Sequence, residues 1–208
     1  TNSTFENNQT LKGSGGGLLA AISGGSTLLV STSTFRGNEA QFGGGLFVRG
    51  YRASIVNSTF ADNRAREGGG LSAYLARIYN TSIVGNRAES GGGISGNDTS
   101  FANTVVAGNS APNAPDCLGP IRSLGYNLIG DATGCSIAGD SVGNQVGVDA
   151  MMSTVGDYGG PTATSRPLPG SPAIDAGHNS VPGSSDRACA TTDQRGVGRP
   201  IGDRCDIA

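Results

Sequence analysis

N-S-T-F-A-D-N-R-A-R-E-G-G-G-L, residues 57–71, is followed at 80–94 by N-T-S-I-V-G-N-R-A-E-S-G-G-G-I. The two stretches align without a gap, 23 residues apart. Working outward from them, one asparagine recurs at Asn8, Asn38, Asn63, Asn86 and Asn109, with spacings of 30, 25, 23 and 23. Three residues before it stand Phe5, Phe35, Phe60, Ile83 and Val106. Two residues after it stand Ala40, Ala65, Ala88 and Ala111. A glycine triplet begins at Gly15, Gly43, Gly68 and Gly91, and each is followed by Leu18, Leu46, Leu71 or Ile94. A second register precedes the asparagine: Val30, Ile55, Ile78 and Phe101, then Thr32, Asn57, Asn80 and Asn103.

The apolar runs in this unit are short, β-branched or aromatic, and punctuated by glycine and asparagine. That is strand and turn chemistry. Helical repeats are longer and avoid glycine triplets, and the leucine-rich-repeat pattern L-x-x-L-x-L is absent. A 23-residue unit fits one coil of a right-handed parallel β-helix, with coils stacked at the inter-strand spacing of about 4.8 Å. Equivalent residues then form columns. The Phe/Ile/Val and Leu/Ile columns are expected inside. The asparagine column is expected to pass amide hydrogen bonds from coil to coil. The glycines are expected where φ is positive or where backbones approach closely.

The composition agrees with a repetitive β chain and excludes several partners. Among 208 residues, 36 are glycine, far above the usual share of about 7%. Charged residues are 14%, the formal net charge is −2, and there is one lysine, Lys12, and one histidine, His178. No basic run is present to track a nucleic-acid backbone or an anionic membrane. No apolar stretch approaches the length of a membrane-spanning helix, so no membrane insertion is expected in this segment.

Phe5–Asn8, Phe35–Asn38 and Phe60–Asn63, paired with Gly43–Leu46, Gly68–Leu71 and Gly91–Ile94, give F-x-x-N and G-G-G-[LI] elements. This repeat resembles that of the chlamydial polymorphic outer-membrane proteins, over residues 1 to about 116. The resemblance implies a right-handed β-helix on a secreted or surface protein, often one concerned with adhesion. Beyond 116 the repeat fades and proline appears. S-L-G-Y-N-L-I-G-D at 123–131, G-G-P-T at 159–162, S-P-A-I-D-A-G at 171–177 and D-Q-R-G-V-G-R-P at 193–200 follow in order. These are similar to the C-terminal region of bacterial choice-of-anchor Q β-helix proteins, a family named for variable surface anchors and without a general assigned activity. Two regions are therefore expected in one continuous solenoid: regular coils over 1–116, then irregular terminal coils and a cap over 117–208.

The four cysteines, Cys117, Cys135, Cys189 and Cys205, all fall in the second region. The sequential pairing Cys117–Cys135 and Cys189–Cys205 is the simplest of three connectivities. It implies an oxidising compartment, so a secreted, extracellular or bacterial cell-surface location is expected. With no C-x-x-C and one histidine, a zinc site is not expected. No cofactor is expected. Calcium is only weakly indicated, because Leu or Ile follows the glycine triplet where a calcium β-roll needs aspartate.

Acids in the repeats are few and do not recur in a column: Glu6, Glu39, Asp62, Glu67, Glu89 and Asp98. No catalytic residue is assigned. The densest charged set is Asp175, Asp193, Arg195, Arg199 and Asp206, read as ion pairs holding the cap. Arg49, Tyr51, Arg52, Tyr74, Arg77 and Tyr79 lie in the variable stretches between registers and form a possible binding surface, since Tyr and Arg are frequent hot-spot residues. The expectation is a non-enzymatic extracellular structural or adhesive module. Its partners would be a cell-surface or glycan ligand, or further copies of itself joined head-to-tail or laterally, the former as filaments. The alternative is a polysaccharide-active lyase or glycoside hydrolase.

Overall fold

The computed structural model describes residues 1–23, 26–50, 53–185 and 187–208. The first coil holds β1 (Thr4–Glu6), β2 (Leu18–Ala21) and β3 (Leu28–Ser31). The second holds β4 (Thr34–Arg36), β5 (Leu46–Arg49) and β6 (Ala53–Val56). The third holds β7 (Thr59–Ala61), β8 (Leu71–Tyr74) and β9 (Ala76–Tyr79), and the fourth β10 (Ser82–Val84), β11 (Ile94–Asn97) and β12 (Thr99–Ala102). In the fifth, β13 (Val105–Ala107) is followed by a single eight-residue strand, β14 (Cys117–Leu124), which runs on where earlier coils divide into two strands. β15 (Leu128–Ile129), β16 (Cys135–Asp140) and β17 (Gln145–Val146) complete the coils.

Strands pair in parallel with their equivalents one coil away. The order β1-β4-β7-β10-β13-β15-β17 makes a first sheet. β2-β5-β8-β11 and β3-β6-β9-β12 make a second and a third, which merge on β14. The chain is thus an all-β parallel β-helix with a disulfide-containing C-terminal cap.

The register explains the repeat. Phe5, Phe35, Phe60, Ile83 and Val106 pair in one line. Leu18, Leu46, Leu71, Ile94 and Cys117 pair in another. Both lines point into the core, where Phe35, Phe60, Leu46 and Leu71 are fully buried. The rings of Phe5, Phe35 and Phe60 stack face to face at 4.6 and 4.7 Å, because the strand spacing fixes the ring spacing. Burying one such phenylalanine contributes about 2–3 kcal/mol.

The triplet at Gly43–Gly45 shows why three glycines recur. Gly43 has φ +61°, a left-handed conformation that a side chain disfavours. A Cβ on Gly44 would lie 2.4 Å from the Gly69 carbonyl oxygen of the next coil, and one on Gly45 2.6 Å from that of Gly70. The first glycine sets the turn. The second and third let adjacent coils approach.

Parallel coils end at Val146. The remaining chain does not wind on across the end. It doubles back along the outer face of the first sheet, through short antiparallel bridges at Met152–Pro167, Gly156–Thr164 and Thr192–Gly198. Thr162 Oγ1 donates to the Thr32 carbonyl, Asn57 Nδ2 to that of Thr192, and the Ala208 amide to that of Asn103. The physical reason is an apolar column on the outside of the first sheet. Ala61, Val84 and Ala107 are buried with Ala150, Ala173 and Ile207 in a second core. Cys117–Cys135 ties β14 to β16, and Cys189–Cys205 closes a loop within the cap.

Candidate functional site

The asparagine column forms a continuous ladder. Asn38 Oδ1 accepts from the Asn8 amide and side chain at 3.0 and 2.9 Å. Asn63, Asn86 and Asn109 repeat this geometry. Each Nδ2 also reaches a carbonyl one coil back, as from Asn63 to Phe35 and from Asn86 to Phe60. The ladder closes on a residue that the repeat did not mark. Asp116 Oδ1 accepts from the Asn109 amide and side chain, both at 2.9 Å, and its Oδ2 from the Asp131 amide at 2.6 Å. Burial pushes the Asp116 carboxyl above the usual aspartate range, against the N–H donors from Asp131 and Asn109 that pull it down. These residues hold coils together, and Asn38, Asn63, Asn86, Asn109 and Asp116 are buried.

The four described residues of the proposed surface lie on strands and not in connecting stretches. Arg49 and Tyr74 end β5 and β8 on the second sheet, while Arg77 and Tyr79 lie within β9 on the third. What reads as a linker is a third strand, in which Ala76 and Ile78 point inward and Arg77 and Tyr79 outward. Tyr51 and Arg52 lie outside the described residues. Arg77 and Tyr79 share a depression of about 250 Å³ with Ser100, Arg122, Leu124 and Arg187. Arg187 pairs there with Asp140 at 3.1 Å.

The charged set of the cap is structural in its geometry. Asp193 accepts from the Arg195 amide at 2.8 Å and from its Nε at 2.7 Å. Asp206 accepts from the Asp175 amide. Arg199 donates to Asn57 Oδ1 and to the Ala208 main-chain oxygen, so it joins cap to solenoid. Burial lowers its guanidinium pKa to about 10. His178 packs its ring on Tyr126 at 4.7 Å, and its Nδ1 accepts from the Ser180 amide. Desolvation lowers its pKa, with Arg187 adding to the effect, so it is neutral and occupied at neutral pH. Among the described residues, no three His, Cys, Asp or Glu side chains gather as a metal cage requires.

A concavity of about 670 Å³ lies at the corner just after the ladder asparagines. Its floor is the small-residue column Thr10, Ala40, Ala65, Ala88 and Ala111. One wall is Glu39, Arg64, Arg87 and Ser110, the other Leu11, Gln41, Arg66, Glu89 and Pro112. The groove therefore runs along the solenoid axis across five coils, about 19 Å at the coil spacing. The walls are held in register by bridges from Glu39 to Arg64, Arg64 to Arg87 and Arg87 to Ser110. Glu89 takes Arg66 at 3.4 Å, and Glu39 takes Gln9 Nε2 at 3.0 Å, both in the open. Neither carboxylate has the burial that prepares a general acid. The repeat carried the signal for this groove: a small residue two positions after every ladder asparagine, flanked by long polar ones in the three middle coils.

Comparison with protein-family models, with curated proteins and with solved structures finds no match to this chain.

Proposed function

We propose that this chain is a non-enzymatic extracellular adhesive or structural module, which holds an extended glycan along its axial groove. The carrying observation is the groove itself, floored by small residues of five successive coils and walled mainly by polar side chains. A solenoid offers the same contact once per coil, which suits a ligand that also repeats. Two disulfides support an oxidising compartment, and a secreted or bacterial cell-surface location follows from this reading. In a filamentous form, copies would stack coil on coil.

The test is a binding and degradation screen over neutral and acidic polysaccharides, with and without calcium. Retention of a polysaccharide without release of reducing ends is the expected result. Ala88→Trp, on the groove floor, should abolish retention, and Ser110→Trp, on the exposed rim, should weaken it while leaving the melting temperature unchanged. Release of sugar fragments would instead establish the lyase or hydrolase alternative. Retention insensitive to both substitutions would overturn the groove as the site.

A further inference from the structure

We propose that Arg64 and Arg87 form an anion subsite in the axial groove, which takes the carboxylates or sulfates of an acidic polysaccharide. This deepens the groove-binding reading and rests on it. The two residues are direct cross-coil partners, on the same wall of the groove and both exposed. Like charges directly opposite each other on neighbouring strands repel, so the pairing disfavours the empty groove. Glu39 is Arg64's partner on the preceding coil, but the groove's acids make no ion pair with either guanidinium among the described residues. Glu39 takes Gln9, and Glu89 takes Arg66 along the opposite wall. Among the described residues, neither Arg64 nor Arg87 has a carboxylate partner.

Two guanidinium groups rooted about 4.8 Å apart can share one planar anion or grip neighbouring ones along a chain. Arginine suits this better than lysine, because its fork matches a carboxylate or sulfate in two bonds. The alanine floor between the walls leaves room for a sugar ring beside the charges. In a chain with a net charge of −2, attraction for anions must come from such a local pair and not from the overall field.

The experiment titrates the full chain with dextran sulfate and with uncharged dextran, and with polygalacturonate and its methyl ester. Affinity is read by calorimetry at low and at physiological salt. The charged polymers should bind more tightly than their neutral counterparts, with the difference shrinking as salt rises. R64Q/R87Q should weaken the charged polymers about tenfold, equal to about 1.4 kcal/mol, and leave the neutral ones unchanged. R87Q alone should not lower the melting temperature of the free protein, since Arg87 lies between Arg64 and the neutral Ser110 and its loss removes a repulsion. R122Q, on the third sheet, should change nothing. Equal binding of charged and neutral polymers overturns the anion subsite while leaving the groove reading intact. So does an anion preference that survives R64Q/R87Q or falls with R122Q. Failure of every polymer to bind overturns the groove reading as well.

Discussion

The first sheet is covered twice, by two regions that work in opposite ways. On its inner face, each coil meets a copy of itself. Phe35 stacks on Phe60, and Asn63 bonds Asn86, at separations of one repeat. On its outer face, the chain after Val146 makes contacts that occur once. Gln194 Nε2 donates to Thr34 Oγ1, 160 residues away, and to Thr162 Oγ1 in the cap, while its Oε1 accepts from Thr59 Oγ1. The repeats gain stability from nearest neighbours, so it grows by increments. The cap gains it from a single fit. Nearly the same strands are thus one-dimensional on one side and jigsaw-packed on the other.

The contrast can be broken most severely at the ladder. Asn86→Ala removes the acceptor for two Asn63 donors and the side-chain donor to the carbonyl of Phe60. A loss of about 3–5 kcal/mol is expected from several buried groups left unpaired. Denaturant midpoints read it, and a loss below about 1 kcal/mol would show that the coils do not lean on the ladder. The next effect in size sharpens the distinction. Gln194→Ala should cost about 2–3 kcal/mol. Hydrogen exchange should localise this loss to residues 150–208, leaving the repeat strands protected. Concerted opening of coils and cap would make the two regions one cooperative unit.

The smallest effect is at the junction, and it depends on pH. The Asp116 carboxyl is raised above its ordinary 3.8 in the folded chain, so the folded state holds that proton more tightly than the unfolded one. Its contribution is therefore most favourable below 3.8 and declines as pH rises through the higher folded value. Asp116→Asn keeps an acceptor for Asn109 but turns an N–H donor toward the Asp131 amide, at a cost of about 1 kcal/mol. The difference in melting temperature, wild type minus variant, should grow as pH is lowered toward 4. A difference independent of pH would contradict the raised carboxyl.

The inner columns were legible because each is written several times. Asn38, Asn63 and Asn86 announce their register whichever copy is read first, and the Phe and Leu columns follow the same count. The cap was legible as a different region, through its prolines and cysteines, but not in its placement, since contacts such as Thr34–Gln194 are written once. One signal for it was present. The outward column of the first sheet runs Glu6, Arg36, Ala61, Val84, Ala107, from charged to apolar. S-I-V and V-V-A are strands apolar on both faces, which need cover on both. The groove was written in the repeat as well, but alanine beside arginine carries no motif. It becomes a site when coils stack Arg64 against Arg87. Arg77 and Tyr79 flank Ile78, a member of the second register, so the third strand was marked in the repeat although the variable residues around it read as a connection.

The ladder has a further property, which comes from direction. Every side-chain carbonyl in it points back toward the preceding coil, from Asn38 through Asn109. Aligned amide dipoles add, so the column has an electrical polarity, negative toward Asn8 and positive toward Asn109, as a helix has along its axis. Asp116 places a carboxyl at the positive end. A sixth asparagine could accept the same two bonds but would carry no formal charge to meet that end. A solenoid lengthened by inserting coils between Asn86 and Asn109 would keep this termination. One lengthened after Asn109 would need its acid moved to the new last rung.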